Sequence, residues 1–159
     1  SPLWERTYLQ EASPLAAAAM PTTTVPAPSG NPAAPAAPAS TAETEPPLPR
    51  QTHTGTFMGA DDFHFGRGTA QLIETAPGAY TLRFEDFSVR NGPDLFVYLT
   101  PDPTGESIDG GINLGALKAT DGAFNYELPP STDVSQFSSA IVWCKQFAVL
   151  FAVAELAKV

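Results

Sequence analysis

The sequence predicts an antiparallel β-sandwich or flattened barrel over residues 55–159, preceded by a disordered segment rich in proline and alanine. Turn-forming residues recur at short intervals after residue 55, and the runs between them have strand length and period-2 alternation. Helical periodicity is weak, which favours an all-β fold. The turn signals are Pro77-Gly78, Asn91-Gly92-Pro93-Asp94, Pro101-Asp102-Pro103, Asp109-Gly110-Gly111, Asp121-Gly122 and Pro129-Pro130.

Residues 1–54 differ in composition from the rest of the chain, with 11 of its 17 prolines and tracts of alanine and threonine. Such a composition cannot bury a core and favours extended conformations, so we expect a semi-rigid, disordered spacer. Its first part also holds Trp4, Tyr8 and Leu9. These residues would suit an anchor beside a membrane helix, a segment that docks on a partner, or an ordinary flexible terminus.

Strand-length runs fill the spaces between the turns. In residues 80–85 apolar and polar side chains alternate, which is typical of a half-buried strand. Residues 95–99 are apolar on both faces and indicate a central strand, and we expect further strands at 69–73, 112–117 and 124–128. The alanine-rich end has some helix propensity, but the alternation that continues into it favours a strand.

The most apolar run of the chain, residues 141–151, holds the only cysteine, Cys144. A polar pair, Lys145-Gln146, interrupts it. We expect a strand over Ser139–Cys144 that turns at this pair into a second strand over 147–156. Large side chains on one face of the second strand and mostly small ones on the other are typical of a sandwich interior.

The composition excludes several classes of function. The chain has a formal net charge of -9, which argues against binding to nucleic acid or to an anionic membrane surface. A single cysteine excludes an intrachain disulfide, CxxC redox chemistry and a thiolate-rich zinc site. No stretch of about 20 apolar residues is present, so we expect no membrane span; an anchor or signal removed from the N-terminus would account for export.

Several segments resemble the DM13 domain family, in the expected order. Residues 86–99 are similar to its F-x-V-x-N-G-P-D-L-x-V-Y-L signature, residues 114–129 to its LGxLKG…G…NYxIP segment, and residues 141–147 to its VxIWCxxF segment. Gly55-Thr56-Phe57, Phe63-His64 and Gly68 are similar to its first strand. The resemblance covers nearly all of residues 55–156. It departs at Ala119, where the family more often has glycine, and before Asn125, where the family usually has glutamine.

The resemblance implies a β-sandwich in a secreted or membrane-anchored protein, outside the cytoplasm in the periplasm or at the cell surface. The DM13 domain is described as an electron-transfer domain, because its cysteine is near-invariant and it is paired elsewhere with cytochrome-like DOMON modules. The resemblance therefore implies a redox role for Cys144 with an external redox partner. The cofactor is unknown, and a metal or haem supplied by that partner stays open.

Cys144 has two interpretations, which the residues themselves leave open. As a thiolate it could form a mixed disulfide, a sulfenic acid or a metal–thiolate bond, and the neighbouring Lys145 could stabilise its charge. Trp143, Tyr98 and Phe147 could then shape an aromatic environment around it. As a structural residue it would be buried, as free cysteines usually are.

His64 is the candidate second ligand for a metal bound at Cys144. The alternation of Phe63-His64-Phe65 predicts a strand on which His64 faces away from both phenylalanines, where it would usually be solvated. A blue-copper site is not expected, because it normally takes two histidines and a cysteine in a Cys-x-His-x-Met order near the C-terminus, and neither His nor Met follows Cys144.

The Asn91-Gly92-Pro93-Asp94 sequence is the strongest turn signal. It could form a ligand or cation loop through Asp94, or a structural turn in which that carboxylate caps the backbone. Lys118 could pair with one of the candidate acids, which are Asp94, Asp86, Asp61 and Asp62.

Three functions remain for the whole chain. The first is a non-catalytic extracytoplasmic redox module that works through Cys144. The second is a binding or adhesion module for a ligand or an extracellular protein, in which the cysteine is structural. An enzyme with a cysteine nucleophile is the third, and we do not favour it because His64 is the only evident base.

Overall fold

The computed structural model describes residues 5–18 and 47–159, and these contain ten strands and one short α-helix. A short 3₁₀ helix, Val134–Gln136, precedes the eighth strand. The elements are β1 (Tyr8–Gln10), α1 (Pro14–Ala18), β2 (Arg50–Gly59), β3 (Gly66–Ala76), β4 (Ala79–Val89), β5 (Leu95–Thr100), β6 (Ile112–Ala116), β7 (Asp121–Glu127), β8 (Ser139–Cys144), β9 (Val149–Glu155) and β10 (Ala157–Lys158).

The strands form one sheet that curls into a half-barrel, in the order β1-β7-β4-β3-β2-β9-β8-β5-β6, with β10 also paired to β2. Strand β2 joins the two halves, since its first part pairs with β3 while Phe57, Met58 and Gly59 pair with β9. Every pairing is antiparallel except that of β1 with β7. The predicted all-β fold, an antiparallel sandwich or flattened barrel, is confirmed. Among the described residues, no helix combines the length and apolarity needed to cross a bilayer.

The predicted corner after Cys144 is confirmed, with one difference in its length. Strand β8 ends at Cys144 and the chain turns through residues 145–148 before β9 begins at Val149. The turn takes four residues rather than the predicted two, and its last residue, Ala148, has a positive φ of 51°. Phe147 therefore lies in the turn with 62% of its surface exposed, instead of facing the core from a strand.

The curled sheet buries one large core and leaves a smaller apolar cluster on its other side. Phe84 lies at the centre of the main core, together with Phe57, Phe87, Phe124 and Tyr126. Side chains alternate along β5 and β8, so Tyr98, Ile141 and Trp143 form the second cluster on the opposite face. This alternation decides which residues can approach Cys144.

The prediction of a disordered spacer over residues 1–54 differs from the structure near both ends of this segment, where the chain forms strands. Strand β2 already begins at Arg50, and residues 6–12 lie along the edge of the sheet, where β1 pairs with β7. An unpaired strand edge offers a row of backbone donors and acceptors, which explains why an extended segment binds there. Residues 1–4 and 19–46, with Trp4 and most of the proline-rich tract, lie outside the described residues.

Two carboxylates, those of Glu11 and Asp121, stabilise the β1–β7 pairing when they are ionised. Hydrogen bonds from the Asn125 backbone N–H and from Lys118 lower the pKa of Glu11 below its ordinary value of 4.5. Burial raises the pKa of Asp121, but hydrogen bonds from Arg6 and two hydroxyl groups outweigh this effect, so that its pKa lies below the ordinary 3.8. Each carboxylate therefore stabilises the pairing above its ordinary pKa, and this contribution is lost as the pH falls through the lowered value.

We expect acid to release the N-terminal segment as the pH falls below the ordinary pKa values of these two carboxylates. The measurement is an NMR titration of the Glu11 backbone amide, which donates to the Ala123 carbonyl at 2.7 Å, with the buried Ile141 as the core reference. The Glu11 signal should move to its unpaired position while the Ile141 signal stays in place. The Glu11→Gln variant should weaken the pH dependence. Simultaneous loss of both signals would show that the segment unpairs only with global unfolding.

Candidate functional site

An apolar pocket of about 250 Å³ lies beside the turn between β8 and β9. Three segments form it: the loop between β2 and β3, the loop between β4 and β5, and residues 144–151. The pocket brings together the predicted residues Cys144, Phe147 and His64 with the 91–93 turn. Its lining residues are Phe63, His64, Arg90, Asn91, Gly92, Pro93, Cys144, Phe147, Val149 and Phe151.

Cys144 is the last residue of β8, and its neighbours across the sheet are Leu95 on β5 and Val149 on β9. It is a free cysteine that faces the main core and borders the pocket. None of its surface is accessible to solvent, so neighbouring side chains cover the thiol in this conformation. Burial is what a structural cysteine requires, and the adjoining pocket gives a short route to the thiol if the pocket wall moves.

The structure corrects the predicted environment of His64. The residue lies in the loop between β2 and β3 rather than on a strand, and only 16% of its side chain is exposed. Its ring centroid is 4.4 Å from that of Phe151 and 5.0 Å from that of Phe63. His64 therefore packs among aromatic rings in the Cys144 pocket, instead of pointing to solvent away from them.

Asp61 explains why this segment turns and how the His64 ring is oriented. Its Oδ1 accepts the backbone N–H groups of Phe63 at 2.9 Å and of His64 at 2.7 Å, which stops the strand. His64 Nδ1 lies 2.8 Å from both carboxylate oxygens, and this side-chain hydrogen bond is the largest cause that lowers the pKa of Asp61. An ionised carboxylate only accepts, so the ring proton sits on Nδ1, and Nε2 of a neutral ring is left as an acceptor.

The 91–94 turn packs against Phe151, which also lines the pocket. A Cβ on Gly92 would lie 2.7 Å from Cζ of Phe151, so only glycine permits this approach. Asn91 Oδ1 accepts the Gly92 N–H at 2.9 Å, and the Asp94 carbonyl accepts the Lys145 N–H at 3.0 Å. Asp94 thus ties the turn to the β8–β9 corner through its main chain. A ligand-binding role of this turn stays a prediction.

Arg90 is a pocket residue that the sequence analysis missed. Its guanidinium lies 3.8 Å from the centroid of the Phe63 ring, and its backbone N–H donates to the Phe65 carbonyl at 3.1 Å. These contacts join the two loops on either side of the pocket. The sequence signal was only its position directly before the 91–94 turn, and Phe151 carried no signal beyond its place in a strand.

Trp143, Tyr98 and Lys145 do not surround the thiol, contrary to the predicted aromatic environment. Trp143 and Tyr98 belong to the cluster on the opposite face of the sheet from Cys144, because adjacent residues of a strand point to opposite faces. The Lys145 ammonium lies 4.8 Å from the ring centroid of Phe96, on that same outer face. Of the predicted supporting residues, Phe147 alone lines the pocket.

Lys118 lies at the edge of the sheet rather than in the pocket. Its Nζ is 3.0 Å from Glu11 Oε1 and 5.3 Å from the ring centroid of Tyr126. Its backbone N–H donates to the Tyr126 hydroxyl at 2.9 Å. Lys118 therefore pairs with Glu11 in the N-terminal segment, rather than with one of the predicted acids, Asp94, Asp86, Asp61 or Asp62.

No group of three or more His, Cys, Asp or Glu side chains in residues 5–18 and 47–159 is arranged to hold a metal ion. His64 and Cys144 border one pocket and would contribute two donors at most. A third donor would have to come from a ligand or from a partner.

The family model described as electron transfer DM13 matches residues 57–156, from the end of β2 to just after β9. This range contains every residue that lines the pocket. No curated protein and no solved structure shows significant similarity to the chain.

Proposed function

Because this chain belongs to the electron transfer DM13 family, we propose that it is a non-catalytic redox module that acts through Cys144. The observation that carries the proposal is the position of Cys144, which borders an apolar pocket that His64 also lines. Asp61 holds Nδ1 of His64, which leaves Nε2 of the neutral ring as an acceptor for a hydrogen bond from a group that enters the pocket.

A single thiol cannot cycle a disulfide by itself, so the proposed redox partner carries a disulfide. The Cys144 thiol gives its proton to a base, and the thiolate attacks one sulfur of the partner's S–S bond. A mixed disulfide forms, and the other partner sulfur leaves as a thiolate. A thiol of a separate low-molecular-weight reductant then attacks the Cys144 sulfur, and the partner leaves with both of its sulfurs reduced. A further thiol of the same reductant attacks the disulfide that now joins the reductant to Cys144, releases the Cys144 thiolate and leaves the reductant as its own disulfide.

The proposed location of the module is outside the cytoplasm, in the periplasm or at the cell surface, secreted or tethered by a membrane anchor. The proline-, alanine- and threonine-rich composition of residues 1–54 supports this proposal, because such a segment can hold a domain away from its anchor. Cell fractionation of the full-length natural protein tests it. Recovery in the cytoplasmic fraction would contradict it.

A binding or adhesion module is the second candidate, and one observation favours it. Cys144 has no accessible surface, whereas Phe63 and Phe147 at the pocket are 58% and 62% exposed. In a binding module the Cys144 thiol would be a structural part of the core, and the exposed rings of Phe63 and Phe147 would contact a ligand or an extracellular protein.

Thiol accessibility in the native chain separates the two candidates. An aromatic disulfide reagent is added to native and to denatured protein between about pH 5 and about pH 9, and release of the aromatic thiolate is followed. The redox proposal expects Cys144 to react in the native state, at a rate well above that of global unfolding. Reaction only after denaturation would contradict it and leave the binding module.

The Cys144→Ala variant supplies the matched control. We expect it to retain the fold with a loss of about 1–2 kcal/mol in the free energy of unfolding, because a small buried side chain is shortened. It should also lose all formation of a mixed disulfide. A partner that is still reduced at the normal rate in the presence of this variant would exclude Cys144 as the redox group.

A further inference from the structure

The segment that precedes the family match is bound to the domain by a specific set of contacts. Residues 5–13, here called the N-terminal strap, lie along β7, where Leu9 pairs with Gly122. Thr7 and Thr120 exchange two bonds at 2.9 Å, each backbone N–H donating to the other's hydroxyl. The strap is thus added to the sheet as an extra strand, a mode by which sheets bind extended peptides.

Charges of opposite sign at the two ends fix the register of the strap. Arg6 donates to Asp121 Oδ1 at 2.7 Å, and Glu11 Oε1 accepts from Lys118 at 3.0 Å. The guanidinium of Arg83, which is nearly fully buried, donates to the Glu11 carbonyl at 2.7 Å. If the strap moved by one residue along β7, all of these contacts would be broken at once.

The strap also touches the segments that enclose the Cys144 pocket. The Glu5 carbonyl accepts from Asn91 Nδ2 at 3.1 Å, and Asn91 lines the pocket. The Arg6 guanidinium donates to the Val89 carbonyl at 2.8 Å and lies 5.4 Å from the Phe65 ring centroid. The N-terminal end of the strap therefore contacts both the loop before β5 and the loop before β3.

We propose that the edge of β7 is a docking surface for the strap of this same chain, and that docking of the strap restricts access to the Cys144 pocket. With the strap in place, the loops that carry Asn91 and Phe65 are braced from outside. When it leaves, these loops lose their outer contacts, and the pocket wall over the buried thiol opens more often. The inference rests on the proposed function only in taking Cys144 as the group whose access matters.

The strap has the features of an element that leaves before the rest of the domain unfolds. It pairs with the sheet on one side only, and its contacts are mostly hydrogen bonds near the surface. Tyr8 is 71% exposed, and Leu9 is the strap residue that packs against the main core. Its local stability is therefore expected to lie well below that of the core strands.

Two glycines allow a matched test in the full chain. Gly122 on β7 has a φ of +121°, and a Cβ there would overlap the carbonyl of Leu9. Gly115 on β6 has a nearly equal φ of +116°, but a Cβ there would meet open space. Gly122→Ala and Gly115→Ala thus introduce similar backbone strain, and only Gly122→Ala blocks the strap.

The readout is the rate at which Cys144 reacts with an aromatic disulfide reagent, in which its thiolate forms a mixed disulfide and an aromatic thiolate leaves. Gly122→Ala is expected to raise this rate about tenfold over that of Gly115→Ala, because the braced loops are freed. Hydrogen exchange at the Asp121 amide, which donates to the Thr7 carbonyl at 3.0 Å, reports independently whether the strap has left.

Each outcome decides the proposal. Faster exchange at Asp121 together with faster thiol reaction in Gly122→Ala supports it. Faster exchange with an unchanged thiol rate overturns it, and unchanged exchange overturns its first step. Electron transfer to a disulfide-bearing partner is measured separately. Its failure would refute the redox function while the response of the thiol rate to the strap would still stand.

Discussion

Replacing Phe84 with alanine is expected to lower the free energy of unfolding by about 4 kcal/mol. Phe84 is fully buried on β4, and its ring centroid lies 4.8 Å from those of Phe57 and Phe87, 5.5 Å from Tyr126 and 5.6 Å from Phe124. The substitution removes the shared member of this cluster and leaves a cavity whose rigid sheet walls cannot collapse. Urea unfolding followed by circular dichroism measures the loss.

The control for this prediction is Phe63→Ala. Phe63 is 58% exposed and its ring contacts the Arg90 guanidinium and the His64 ring, so its removal should cost less than about 1 kcal/mol. Both variants should keep the same dependence of stability on urea, since the surface exposed on unfolding hardly changes. Equal losses for the two variants would show that the aromatic cluster is not the centre of the core.

Replacing Phe151 with alanine is expected to open the Cys144 pocket as well as to destabilise the domain. The ring is 6% exposed and packs against both His64 and the 91–94 turn. Its removal would join the space it fills to the existing pocket, so we expect a loss of about 3 kcal/mol in the free energy of unfolding. The rate of reaction of native Cys144 with a disulfide reagent should rise by at least about tenfold, because the path to the thiol is then open.

Phe147→Ala is the matched variant on the same pocket. Phe147 is 62% exposed in the β8–β9 turn, so its removal should change the free energy of unfolding by less than about 0.5 kcal/mol. The thiol rate should rise less than in Phe151→Ala. An unchanged rate in Phe151→Ala, with the fold intact, would show that the pocket is not the route to Cys144.

Local patterns in the sequence predicted most strands correctly. The run at 95–99 became β5, the alternation at 80–85 lies within β4, and Ser139–Cys144 is β8 as predicted. The alanine-rich end forms β9 and β10 rather than a helix. These predictions succeed because side-chain alternation and turn residues depend only on residues that are close together in the sequence. They can therefore be recognised without knowing any distant contact.

The surroundings of Cys144 could not be predicted in the same way. Trp143 and Tyr98 were expected near the thiol from their closeness in sequence or their aromatic character, but the pleat of the strands puts them on the opposite face. His64 was expected on a strand, but Asp61 accepts two backbone N–H groups and makes a loop there. Nothing in the sequence placed Arg90 or Phe151 at the pocket, because only pairing between distant strands brings them there.

The residue pattern alone was enough to identify an all-β member of the DM13 family with a single cysteine. It also determined where the chain turns, including the corner after Cys144. Long-range packing was needed to show that the thiol is covered, that His64 and the 91–93 turn line its pocket, and that the N-terminal strap contacts the loops around it. The physical reason is that burial and contact depend on the register between strands far apart in sequence, which is set by the packing of the whole sheet.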